Sequence, residues 1–98
     1  MNKKEIENLG WKYSDIFLNR MIYSLGSSNI FEHNSYIGIY HNDEFIYCDM
    51  NEIELKEYTR IANKWNDIND HPDKHTYLEA TNTYNEKLDF IKNIKNKI

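Results

Sequence analysis

The stretch Tyr36-Ile37-Gly38-Ile39-Tyr40-His41-Asn42-Asp43-Glu44-Phe45-Ile46-Tyr47-Cys48-Asp49-Met50 decides the fold. Two runs rich in aromatic and β-branched residues flank Asn42-Asp43, a dipeptide that suits a two-residue hairpin turn. With the turn there, His41 pairs with Glu44, Tyr40 with Phe45, Ile39 with Ile46, Gly38 with Tyr47 and Ile37 with Cys48. Strand alternation divides the side chains between two faces. Ile37, Ile39, Ile46, Cys48 and Met50 form a core face, and Tyr36, Tyr40, Phe45, Tyr47 and Asp49 form the other. A ring opposite Gly38 covers its bare backbone. Ile30-Phe31 reads as the start of a third strand, because a lone hairpin is marginal in water.

Downstream, the spacing predicts two long helices. Asn51 with Glu54 three residues on has the pattern of a capping box. Leu55, Tyr58, Ile61, Ala62, Trp65 and Ile68 then make one apolar stripe, with Glu52 and Lys56 as an i,i+4 pair on the wet side. Asp70-His71-Pro72-Asp73 breaks that helix and starts the last one, since proline is tolerated in a first turn. Its expected stripe is Tyr77, Ala80, Thr81, Tyr84, Leu88, Ile91, Ile94 and Ile98. Tyr77, Tyr84, Ile91 and Ile98 are seven apart, which fits antiparallel packing on the preceding helix or a homodimer seam through the C-terminal helix.

Upstream, residues 2–9 read as a short helix closed by Gly10. Ser14 or Asp15 caps a second segment that ends at Gly26. It is apolar almost all round and is read as a helix, with a strand as the alternative. Gly26-Ser27-Ser28-Asn29 reads as a loop. The fold class expected is α+β: a small antiparallel sheet built on the 36–50 hairpin, with three to four helices, in a single domain spanning residues 1–98.

Composition limits the function classes. The 98 residues are 40% hydrophobic, 14% aromatic and 29% charged, which is a globular mixture. No apolar run is long enough to cross a bilayer, and the N-terminus lacks a secretion signal. Cys48 is the only cysteine, which suits a cytoplasmic location and a buried, unreactive thiol. Heavy use of Asn, Lys, Ile and Tyr, with no Val, points to A/T-rich coding and so to a bacterium, phage or mobile element of that kind.

The formal net charge is −4, and it is uneven: residues 32–57 hold seven acids and one base, Lys56. Such a chain repels phosphate, so direct nucleic-acid binding and membrane binding are not expected. Its acidic middle suits a basic protein partner.

Few residue patterns carry chemistry. His71 and His75 are four apart near Asp67, Asp70 and Asp73, but Pro72 stands where a metalloprotease helix needs Glu. No metal, cofactor or catalytic set is therefore assigned, although a small metal-dependent enzyme using His71 and His75 remains an alternative. Cys48 and His41 are read as pointing to opposite faces, which leaves no Cys–His pair. The glycines are isolated and form no phosphate loop.

The aromatic hairpin face carries the main functional expectation. Tyr36, Tyr40, Phe45 and Tyr47 supply anchors of the kind found at protein interfaces, and Asp43, Glu44, Asp49, Glu52, Glu54 and Glu57 supply charge. The plainer reading is that a helix covers the rings. The expected function is a small acidic, non-enzymatic protein-binding module. In its narrower form it is a phage or mobile-element inhibitor that blocks the basic nucleic-acid-binding surface of a host defence nuclease. The other alternative is a DNA-binding regulator dimerised through the C-terminal helix, with residues 66–73 as the turn of a helix-turn-helix.

Overall fold

The computed structural model describes residues 2–97. Helix α1 (Lys3–Asn8) leads into five strands, β1 (Lys12–Phe17), β2 (Arg20–Leu25), β3 (Ser28–His33), β4 (Tyr36–His41) and β5 (Glu44–Ile46). Helix α2 (Glu52–Asp70), a 3₁₀ turn at Pro72–Lys74 and helix α3 (Tyr77–Asn96) complete the chain. The strands form one antiparallel sheet in chain order, so the fold is α+β with its two long helices last.

The β4–β5 hairpin has the register its turn dictates: His41 faces Glu44, Tyr40 faces Phe45 and Ile39 faces Ile46. Pairing stops at Ile46, so Gly38–Tyr47 and Ile37–Cys48 are not ladder pairs. Instead the chain bends back, and the Met50 amide donates to the Ile37 carbonyl at 2.8 Å. The core face is as expected, with Ile37, Ile39, Ile46, Cys48 and Met50 all buried. The ring that covers Gly38 comes from its other neighbour, Phe31 on β3.

Residues 14–25 are not a helix. They form parts of β1 and β2, joined by a tight turn at Leu18-Asn19 with φ of 52° and 65°. Positive φ at both central residues is the primed turn that matches strand twist. The same signature recurs at Asn34-Ser35 and at Asn42-Asp43. Nor is 26–29 wholly loop, because Ser28 and Asn29 already belong to β3. Only Gly26-Ser27 turns the chain there, with Asn66 of α2 packed where a Gly26 side chain would stand.

The helices cover one side of the sheet. Ile6, Trp11, Tyr23, Ile30, Leu55, Tyr58, Ala62, Ile91 and Ile94 join the hairpin's core face in one buried cluster. Trp11 stacks on Tyr58, and its indole N–H donates to Thr59 Oγ1 at 2.8 Å, so the N-terminal segment is fastened to α2. The capping box of α2 is complete: Glu54 N–H donates to Asn51 Oδ1 at 2.8 Å, and Asn51 N–H to Glu54 Oε1 at 3.0 Å. Glu52 and Lys56 pair at 3.0 Å. Helix α3 starts later than expected, at Tyr77, because Thr76 caps it through Glu79 N–H.

Helix α3 is also rotated from the expected phase. Its inward row is Thr83, Lys87, Ile91 and Ile94, while Tyr77, Tyr84 and Leu88 of the expected stripe are exposed. Ile98 lies outside the described residues. Contacts of Arg60 with Glu86, Asp67 with His75 and Lys97 with Glu54 run the two long helices antiparallel within one chain. No helix of the described residues is long and apolar enough to cross a membrane.

Candidate functional site

Among the described residues no helix or strand covers the side of the sheet away from the helices. Its centre is an aromatic cluster built from β1, β3, β4 and β5 and the segment just after β5. Phe31 meets Phe45 and Tyr47 edge-on, with ring centroids 5.0 and 4.9 Å away. Phe45 stacks with Phe17 at 5.9 Å and contacts Tyr40 at 4.7 Å. Such edge-to-face and offset pairs are the favoured aromatic geometries.

Arg20 lies across this cluster. Its guanidinium carbon is 4.8 Å from the Phe45 centroid and 5.3 Å from that of Tyr47. It also donates to the Tyr47 hydroxyl and to the Leu18 carbonyl. Arg20 was no part of the sequence expectation, because the segment around it read as helix.

Beside Phe31 an apolar socket of about 190 Å³ opens between Tyr36 and Tyr47, lined also by Gly38 and Asp49. A Cβ on Gly38 would stand 2.4 Å from both the Phe31 ring and the Ile46 carbonyl oxygen. The socket is smaller than the sites that hold drug-sized ligands, which start at about 300 Å³. It has room for one long side chain.

The expected charge set splits. Asp43, Glu44 and Asp49 lie on the hairpin or its extension; Asp43 Oδ1 accepts from the Tyr40 hydroxyl at 3.4 Å, whereas Glu44 is on the helix side with His41. Glu52, Glu54 and Glu57 sit on α2 and are engaged there: Glu52 by Lys56, Glu54 by Lys97 at 2.6 Å, and Glu57 by Arg60 at 2.7 Å. Glu44 also has a partner, Lys95 at 3.2 Å. The basic end of the sequence thus folds back on the acidic middle, so the charge contrast read along the chain is partly cancelled in space.

The histidines separate as well. His71 is exposed at the end of α2. His75 bridges the two long helices, its Nε2 2.9 Å from Asp67 Oδ2 and its Nδ1 2.8 Å from Glu79 Oε2. Those carboxylates raise the His75 pKa, Glu79 most. Because they sit on opposite nitrogens of one ring, they do not converge on a common point. Among the described residues no three His, Cys, Asp or Glu side chains are placed to hold a metal ion.

Cys48 is buried, and burial pushes its thiol pKa up, away from the reactive thiolate. His41 does not point away from it. A two-residue turn puts His41 and Glu44 on the same face, so His41 shares the helix side of the sheet with Ile39 and Ile46.

That orientation brings His41 to a second feature. Where the Gly26-Ser27 and Asn42-Asp43 turns approach α2 and α3, a polar cleft of about 450 Å³ opens, lined in part by His41, Asp43, Trp65, Tyr84 and Lys87. Lys87 is only 4% exposed. Among the described residues it has no carboxylate partner, and desolvation pushes its ammonium pKa down. The His41 pKa is lowered too, first by desolvation and then by the charge of Lys87. No family model, curated protein or solved structure matches the chain, so these two surfaces are read from their own geometry.

Proposed function

We propose that the chain is a non-enzymatic protein-binding module that offers the uncovered sheet face to a partner with a basic surface. One observation carries the reading. Among the described residues no helix or strand covers the aromatic cluster, which only the Arg20 side chain crosses, and its Tyr36–Tyr47 socket is lined in part by Asp49. Aromatic walls with an acid among them suit a cationic side chain, which gains both ring and carboxylate contacts. Asp43 extends the acidic margin, which would steer a basic partner, whereas Glu44 faces the helix side and pairs with Lys95. Glu52, Glu54 and Glu57 contribute less, being paired on α2.

The narrower reading is a mobile-element inhibitor that occupies the nucleic-acid-binding surface of a defence nuclease. It adds only small size and A/T-rich residue usage to the support. The DNA-regulator alternative needs available lysines on the last helix, and Lys95 and Lys97 are engaged with Glu44 and Glu54.

Affinity capture from cells of an A/T-rich host tests the proposal with three proteins: wild type, the double variant Tyr47→Ala/Asp49→Lys, and Lys92→Glu as a control on exposed α3. Wild type and control should retain the same basic protein, free of nucleic acid. The double variant should lose it, since truncating a central anchor costs about 2 kcal/mol or more, roughly 30-fold in affinity. Equal capture by all three proteins overturns the sheet-face reading. Recovery of duplex DNA alone, weakening steeply with salt, favours the regulator.

A further inference from the structure

The cleft beside His41 and Lys87 opens toward the helices and shares Tyr40 and Asp43 with the edge of the aromatic face. Its floor is unusual for a structural core. Helix α3 turns Thr83 and Lys87 inward while the neighbouring Tyr84 and Leu88 stay exposed. Packing alone would favour the reverse, since a buried charge without a partner is costly. A leucine at 87 would serve a purely structural helix better.

Two polar groups there lack partners. Lys87 forms no ion pair among the described residues, and the buried Nε2 of His41 has no hydrogen bond. Both line the same cleft. Trp65 and Tyr84 form one wall, their ring centroids 5.4 Å apart and the planes tilted by 48°. The charged groups around His41 are Lys87, Lys95 and Glu44, and Asp43 also lines the cleft. The buried cation Lys87 thus shares the cleft with an aromatic wall.

We propose that this cleft binds a small aromatic phosphate of nucleotide type, with its phosphate on Lys87 and His41 and its ring against Trp65 and Tyr84. The volume of about 450 Å³ suits such a ligand. A phosphate supplies the counter-charge that Lys87 lacks, through short charge-assisted hydrogen bonds. Ring stacking on aromatic side chains tolerates any base. Asp43 repels a phosphate, which favours the anion at Lys87 rather than beside the Asn42-Asp43 turn.

Tryptophan fluorescence and calorimetry test this with adenosine monophosphate, uridine monophosphate, adenosine and inorganic phosphate. Trp11 is buried at 1% exposure and hydrogen-bonded, so Trp65 reports on the cleft. Both monophosphates should quench emission with a Kd below about 1 mM. Adenosine and inorganic phosphate should each bind at least about tenfold more weakly. Lys87→Met should weaken nucleotide binding about 10- to 100-fold, yet melt at a higher temperature than wild type. Tyr84→Ala, at a half-exposed position, should weaken the nucleotides and leave inorganic phosphate unchanged. No response of wild type to either monophosphate at millimolar concentration overturns the proposal. So does equal binding by Lys87→Met and wild type. Inorganic phosphate that binds as tightly as the monophosphates overturns the nucleotide class.

Discussion

Gly38 is small because its side-chain space already belongs to the Phe31 ring and the Ile46 carbonyl. Alanine there must displace a packed ring and a strand backbone. Gly38→Ala should therefore cost about 1–3 kcal/mol, the usual range for overpacking. Urea unfolding would show it as a lower midpoint with an unchanged slope. The glycine's exclusion of a side chain was legible in the sequence; which ring fills the space was not, because Phe31 lay in a strand sketched only at its start. Lys87 was illegible for another reason. Apolar spacing on the last helix selected Tyr84 and Leu88, and no pattern argument expects a lysine to face a sheet. His41 was within reach, since the hairpin register already placed it on the inner face with Glu44.

Elements that announce themselves by a cap or by alternation were legible, namely α1 with Gly10, α2 with Asn51 and Glu54, and the β4–β5 hairpin as far as Ile46, beyond which the expected pairing with Tyr47 and Cys48 is not made. The β1–β2 hairpin hid because Leu18 stands in its turn, where glycine or asparagine is usual. Leucine at φ 52° is strained by about 1 kcal/mol. Leu18→Asn should relieve much of that and raise the melting temperature by about 4 °C, measured by circular dichroism. An unchanged or lower melting temperature would mean that Leu18 compensates through contacts on the aromatic face.

The α2–α3 junction has a pH dependence with a definite sign. Glu79 and Asp67 hold the folded His75 pKa above its ordinary 6.5. The contact's stabilisation is then fully present below pH 6.5 and is lost as pH rises through the higher folded value. The melting difference between wild type and His75→Gln should shrink across that range. His41 acts oppositely, because its folded pKa is lowered, so its contribution falls as pH drops through 6.5. A His41→Gln background isolates the His75 term.

At the scale of the whole molecule, charge and topology close on themselves. Lys95 and Lys97 at the end of α3 reach back to Glu44 and Glu54. These pairs are exposed, so each is worth at most about 1 kcal/mol and is screened by salt. Lys97→Met should accordingly change the urea midpoint only slightly, and less still in high salt. A large loss would show that the latch holds α3 in place.

Every strand pairs with its neighbour in the chain, and the helices that close the core come last. That order sets a timetable for synthesis. The sheet can pair hairpin by hairpin as it leaves the ribosome, with short loop closures at each step. Its inner apolar face then waits for α2 and α3, which lie in residues 52–96. At a synthesis rate of about 5–20 residues per second, that wait is roughly 2–10 s. During it the nascent sheet shows apolar residues on both faces, one of which stays uncovered and one of which is to be buried. The newborn chain is then a natural client for ribosome-associated chaperones, more so than the finished fold.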